Sequence, residues 1–301
     1  MSVQPRVAIV ILTHEQRDMT LECLDFVLRM DGPEFDVLVW DNGSTDGTVE
    51  AIGQKYPQVV AHHSPENLGV ASGLNSGAEL AARRFAPTHF LFLDNDIEVE
   101  AGFLAALLDG FTTDDRVGQT QAKLRFYDTR DRLNDGGGCQ ISFWRGLTMP
   151  VGFDEVDEGQ HDQRRDCIAC GGAMLTSATL FEELGGFDSR FDPVGPEDID
   201  YSLRLQKAGY RALYVPEAVG YHRVSHTFGG GRYSEEYAQH KARNWFTFLR
   251  RHAPLHQKLG FFLISAPLLV LRMVIREGRQ GNFGAIRGML RGLVQIGRGT
   301  Q

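Results

Sequence analysis

Cysteine is scarce in this 301-residue chain: Cys23, Cys139, Cys167 and Cys170 are the full set. Thiols so few and so dispersed exclude a disulfide-built scaffold and fit a reducing compartment. Cys167 and Cys170 form a CxxC, but no second ligand pair stands at zinc spacing, so a buried strand is expected there rather than a metal knuckle. Neither GxGxxG nor GxxxxGK[ST] occurs, which removes most support from dinucleotide oxidoreductases and P-loop phosphotransferases. The opening MSVQPRVAIVIL shows no charged leader and no small-residue cleavage site, and the expectation is a cytoplasmic enzyme. Internal repeats and low-complexity linkers are also missing.

Acids are nearly absent from the last fifth of the chain. Residues 241–301 carry eleven Lys and Arg against one acid, Glu277, while residues 1–240 hold 20 basic and 38 acidic residues. The net charge of −8 thus conceals a +10 tail behind a −18 body. Such a tail is expected to meet an anionic partner, a membrane surface and not nucleic acid. Its apolar run LGFFLISAPLLVL, residues 259–271, is shorter than the roughly 20 residues needed to span a bilayer. An interfacial helix is expected, peripheral at the inner face of the cell membrane. The competing expectation is that these helices pack on the rest of the chain or on a second subunit of a homodimer.

What is present in abundance is apolar residues, 42% of the chain, enough for a full core. Strand-like runs at 7–12, 35–40, 59–63 and 90–93 alternate with helical periodicity at 15–29, 48–55 and 73–85, which predicts an α/β fold with a parallel sheet flanked by helices. Polar clusters follow three of the strands: Thr13 and His14, then Asp41 to Ser44, then Asp94, Asn95 and Asp96. Parallel strands point one way, so the clusters should line one sheet edge, where open α/β sheets bind ligands. A plain polar turn is the alternative for Asp94 to Asp96. With phosphate loops absent, the ligand that remains is a nucleotide held by acids and a divalent cation, Mg²⁺ or Mn²⁺.

ILTHEQ, VWDNGSTDGT, ENLGVASGLNSG, FLDNDIEV, GGFD and PEDIDYSLRLQKAGYRALYVPEAVGYH stand in this order. Together they resemble the family 2 glycosyltransferases, inverting enzymes of GT-A fold, and within them the bacterial rhamnosyltransferase-like members of surface-polysaccharide assembly. The likeness covers residues 5 to 250. It departs at His14, where many members have Asn, at the central Asn of the DxD motif, and at the CxxC.

The resemblance implies a Rossmann-like, mostly parallel GT-A domain over residues 1–240, with a nucleotide-sugar half (1–115) and an acceptor half (116–240), followed by a basic amphipathic helical region at 241–301. It implies a UDP- or dTDP-sugar donor, a glycan or lipid-linked saccharide acceptor, and Mg²⁺ or Mn²⁺. Thr13, His14, Asp41, Asn67, Gly69, Gly73, Asn75, Asp94, Asn95, Gly171 and Gly172 are then expected around the donor, Asp41 beside the nucleobase. Asp96 would bind the metal directly, with Asp94 and His222 as further ligands. Asp198 would be the general base and Glu197 would bind the acceptor; acids stabilised by a helix N-terminus are the plainer account of that pair. Asp200 is expected to face solvent. His226 with the glycines at 229–231 suggests a loop able to close over the donor. Nucleotidyl transfer and non-catalytic binding stay as alternatives.

Overall fold

The computed structural model describes residues 4–223 and 234–297; His226 and Gly229 to Gly231 lie outside them. In chain order the elements are β1 (Val7–Thr13), α1 (Arg17–Val27), β2 (Phe35–Asp41), α2 (Thr48–Lys55), β3 (Val60–His63), α3 (Val70–Phe85), β4 (His89–Asp94), β5 (Ile97–Val99), α4 (Phe103–Gly110), β6 (Val117–Phe126), β7 (Leu133–Asp135), β8 (Cys139–Ser142), β9 (Leu147–Pro150), β10 (Arg165–Asp166), β11 (Ala173–Ser177), α5 (Ala178–Glu183), α6 (Glu197–Lys207), β12 (Arg211–His222), α7 (Glu235–His252), α8 (Leu255–Gly260), α9 (Ala266–Arg279) and α10 (Phe283–Gly297). The chain separates into one compact unit of residues 1–139, 150–188 and 198–224, and a second of 140–149, 189–197 and 225–301.

The first unit is built on a mixed, mostly parallel sheet. Its strand order is β10-β12-β6-β11-β4-β1-β2-β3, with β5 added to β12 and β7 to β6. Strands β3, β2, β1 and β4 run parallel, and β11 is antiparallel to both neighbours. Period-two alternation explains why both faces are covered. Val7, Ile9, Ile11, Val37, Val39, Leu91 and Leu93 pack into one cluster with residues of α1 and α4. The intervening Ala8, Val10, Leu38, Trp40, Phe90 and Phe92 pack into another with residues of α3, α5 and α6.

Register sets the functional edge. Thr13 pairs with Asp41 and Leu12 with Asp94, so β1, β2 and β4 end level. Two expectations are corrected in this unit. Cys167 and Cys170 are buried and free, but they lie in the connection between β10 and β11, because β10 stops after two residues and Gly171 takes φ +73°. Asp200 is fully buried on the inner face of α6, 2.7 Å from Arg204 one helical turn on. Arg204 also donates to the carbonyls of Leu184 and Gly186, so the pair fixes α6 to the chain after α5. Breaking such a buried pair costs on the order of 3–5 kcal/mol.

The second unit is mainly helical. Asn244 of α7 donates to the carbonyls of Phe191 and Val194, and Trp245 donates to Gly146. On α10, Gly288 and Gly292 face the backbone of α7 at Glu235 and Gln239, where any side chain would collide. The apolar run proves longer than its sequence suggested: α8, a π-helical turn at Phe261–Ser265 and α9 follow without a break over Leu255–Arg279. At 1.5 Å per residue these 25 residues reach about 37 Å, enough by length and composition to cross a bilayer. Only 17% of its most apolar window is buried, although Phe261 and Ala266 pack into a cluster with Leu249 of α7.

Candidate active site

The turn after β4 is held from inside. Asn95 Nδ2 donates to Gln16 Oε1 at 2.9 Å, Thr20 Oγ1 at 3.0 Å and Thr13 Oγ1 at 3.2 Å. Thr13 and Thr20 hydroxyls are themselves 2.8 Å apart. Asn95 and Thr13, expected at the donor, therefore tie the turn to β1 and α1, and both are buried. With the middle residue turned inward, the flanking Asp94 and Asp96 project the other way.

A second element closes on them. β5 pairs antiparallel with the end of β12, Gly220 opposite Val99, Tyr221 opposite Glu98 and His222 opposite Ile97. A register break between Val215 and Val219 lets β12 follow β6 again for these last residues. His222 Nε2 arrives 3.2 Å from Asp96 Oδ1. One ligand atom from each of Asp94, Asp96 and His222 lies within 4.8 Å of the others.

The electrostatics of this group are those of concentrated negative charge. Desolvation and the neighbouring Asp96 push the Asp94 carboxyl up to about 6, although its side chain reaches solvent. Burial opposes a charged His222, but Asp96, Asp94 and Asp135 outweigh it and raise the ring above its ordinary value. Two carboxylates and an imidazole, all hard or borderline donors, suit Mg²⁺ or Mn²⁺ and would be relieved by either. The donor set fits the cation inferred from sequence.

Gly172 makes this packing feasible. A Cβ there would stand 2.5 Å from Asp94 Oδ2 and 2.6 Å from Ile97 Cδ1, and the Gly172 carbonyl accepts from the Asp94 amide at 2.7 Å. One residue earlier, the Gly171 amide donates to Asp198 Oδ2. Asp198, in the first turn of α6, also accepts from the Ile199 amide at 2.7 Å. Burial raises its carboxyl above the usual range, against the pull of these amides. Glu197 precedes it and is buried.

Other residues expected around the donor are held in place by hydrogen bonds within the chain. Asp41 is buried, its Oδ1 accepting from the Ser44 amide and hydroxyl and its Oδ2 lying 2.7 Å from His63 Nδ1. Asn42 joins this turn to the next, donating to Asn67 Oδ1 and the Gly69 carbonyl and accepting from the Leu68 amide. Gly73 admits Leu12 and Asn42 against α3. Asn75 both donates to and accepts from the Phe187 backbone. His14 is exposed. Sequence reasoning missed His63 and Asn134, whose Oδ1 lies 3.0 Å from His222 Nδ1. His63 could have been found as the residue beside Asp41 in the β2–β3 register; for Asn134 the sequence carried no signal.

Residues 8–183 match the description of glycosyl transferase family 2. The chain belongs to that family. Among curated relatives, this glycosyltransferase is 28% identical over 273 residues to the N-acetylglucosaminyl-diphospho-decaprenol L-rhamnosyltransferase of Mycobacterium tuberculosis, covering 84% of this chain and 88% of that one. Its fold is similar to GalNAc-T7, solved with UDP, GalNAc and Mn²⁺ (TM-score 0.60, 18% identity, 72% of this chain), of which it spans 43%. It is also similar to the mannosyltransferase PcManGT of Pyrobaculum calidifontis, solved with GDP-Man and Mn²⁺ (TM-score 0.58, 20% identity, 100% of this chain and 77% of that one). Family membership replaces the nucleotidyltransferase and non-catalytic readings with a glycosyltransferase of GT-A fold.

The close approach at Gly172 yields a test. Gly172→Ala should displace the Asp94 carboxylate and weaken Mn²⁺ binding by about tenfold or more, with circular dichroism unchanged. Unaltered Mn²⁺ affinity in an electron paramagnetic resonance titration would show that Asp94 does not depend on that space.

Proposed function

We propose that this glycosyltransferase moves a hexose, L-rhamnose or a close relative, from a UDP- or dTDP-sugar to a hydroxyl of a lipid-linked saccharide, with inversion, in cell-surface polysaccharide assembly. The observation that carries the reading is the meeting of Asp94, Asp96 and His222 at the carboxyl edge of the sheet, with Asp198 held by Gly171. The nature of the acceptor and sugar is supported by the name of the mycobacterial relative.

In this reading Asp96 and His222 hold Mg²⁺ or Mn²⁺, and Asp94 completes the set or contacts the ribose. A bound cation supplies positive charge to the leaving diphosphate. Asp198 takes the proton of the acceptor hydroxyl as its oxygen bonds to the anomeric carbon and the bond to the diphosphate oxygen breaks. Its raised proton affinity suits that task, since a base of ordinary carboxylate strength is weak. Glu197 orients the acceptor. Asp41, with His63 beside it, sits at the nucleobase, while Gly69 brings α3 to the diphosphate without a side chain in the way.

This division of labour makes the two acids separable. Asp96→Ala should abolish metal-dependent nucleotide binding, whereas Asp198→Asn should keep it and reduce transfer by at least about a hundredfold. Equal loss of nucleotide affinity in both, by calorimetry, would contradict the assignment.

The C-terminal helices bring the enzyme to its lipid-linked acceptor by lying on anionic membrane at the cytoplasmic face. Leu263, Ile264, Leu268 and Leu271 are exposed on the 25-residue helical stretch, and Arg272, Arg276 and Arg279 follow on it. Apolar insertion and basic attraction act together at such a surface, each Lys or Arg adding on the order of 1 kcal/mol. The full chain should sediment with anionic vesicles at low salt. High salt or Leu263→Glu with Leu268→Glu should release it. A full chain that stays soluble, and whose dimer is what the double variant disrupts, would assign this face to subunit contact instead.

A further inference from the structure

We infer that Asn134 is a positioning residue for His222, fixing which ring nitrogen faces the acids; the inference rests on the metal-site reading above. An imidazole presents two nitrogens, and a neutral ring carries its proton on one of them. Asn134 Oδ1, 3.0 Å from Nδ1, can only accept, so it selects the form with the proton on Nδ1. The lone pair is then on Nε2, the nitrogen 3.2 Å from Asp96 Oδ1.

Asn134 is itself held rigidly. It is the middle residue of β7, buried between Leu133 and Asp135. Asp135 pairs with Leu124 of β6, and its Oδ1 accepts from the amides of Gly137 and Gly138 at 2.8 and 2.6 Å. Its other oxygen lies 3.3 Å from Gln121 Nε2 and 3.5 Å from Cys170 Sγ. Meanwhile His222 pairs with Phe126 on the same strand β6. The amide and the ring are thus registered on one backbone, which fixes the positions from which the two side chains meet. An amide does this without adding charge beside Asp94 and Asp96, where another carboxylate would favour a doubly protonated ring, which has no lone pair for a cation.

Metal ligands oriented by an outer partner typically lose 10–100-fold in affinity when that partner is removed. Asn134→Leu keeps the volume and removes the acceptor. Mn²⁺ binding to the full chain, followed by electron paramagnetic resonance, should weaken by about 10–100-fold. In the metal-free protein at alkaline pH, the ¹⁵N resonances of His222 should report a larger share of the Nδ1-protonated form in the wild type than in Asn134→Leu, where Asp96 alone competes for the ring proton. Asn134→Asp, which retains an acceptor, should restore the Nδ1-protonated form. A tautomer balance that Asn134→Leu leaves unchanged, or an Asn134→Leu protein that binds Mn²⁺ as tightly as wild type, overturns the inference. Asp96→Ala separates the two claims. If it binds Mn²⁺ like wild type, the metal-site reading itself fails; if it loses Mn²⁺ while Asn134→Leu keeps it, only the role of Asn134 does.

Discussion

Three paired residues hold the chemistry of this protein together: Ile97 to Val99 of β5 against Gly220 to His222 of β12. β5 is too short to stand alone, and it follows the Asp94–Asp96 turn immediately. The same ladder therefore anchors the acidic turn and delivers an imidazole from 126 residues away to its side. Gly220 allows the approach, for a Cβ there would meet Ile97 and Leu124 at 3.1 Å each. Behind it, the register break in β12 aligns the strand end with β6 and hence with β7. Losing this ladder would separate the ligands of the site even if every one of them stayed in the sequence.

The interactions around the ladder divide into those that make charge uncomfortable and those that hold it in place. Asp94 is pushed up to about 6 by burial and by Asp96, a sign of negative charge short of compensation. Asp41 differs, because Ser44 and His63 already satisfy both its oxygens. The first pattern invites a cation; the second fixes the orientation of the Asp41 carboxyl. Buried charge left without a partner is costly, so these two acids of one sheet edge stand in different electrostatic settings.

Much of this was legible in the sequence. Alternating strands and helices, a parallel sheet and the shared edge of three polar clusters follow from hydrophobic runs and the turns behind them. The acidic turn and His222 were visible through ordered motifs. Illegible were the features set by long-range pairing: Asn134 reaches His222 through two ladders on β6, and Asp200 is buried against Arg204, which is itself held by the carbonyls of Leu184 and Gly186. The hydrogen bonds that Thr13, Asn75 and Asn95, expected around the donor, make to other protein groups were equally out of sight in the motifs. The tail differs from its reading in length, since the run 259–271 looked too short to span a bilayer, whereas it lies inside a helical stretch that continues through Pro267 from Leu255 to Arg279.

The central claim is that Asp94, Asp96 and His222 form one cation site. Crystals of the full chain soaked in Mn²⁺ and UDP, measured at a wavelength where manganese scatters anomalously, test it most directly. The account predicts one strong anomalous peak bounded by Asp96 and His222 Nε2, with Asp94 in its inner or water-bridged shell. A peak held by other residues, or none at this turn while UDP is bound in place, would contradict it.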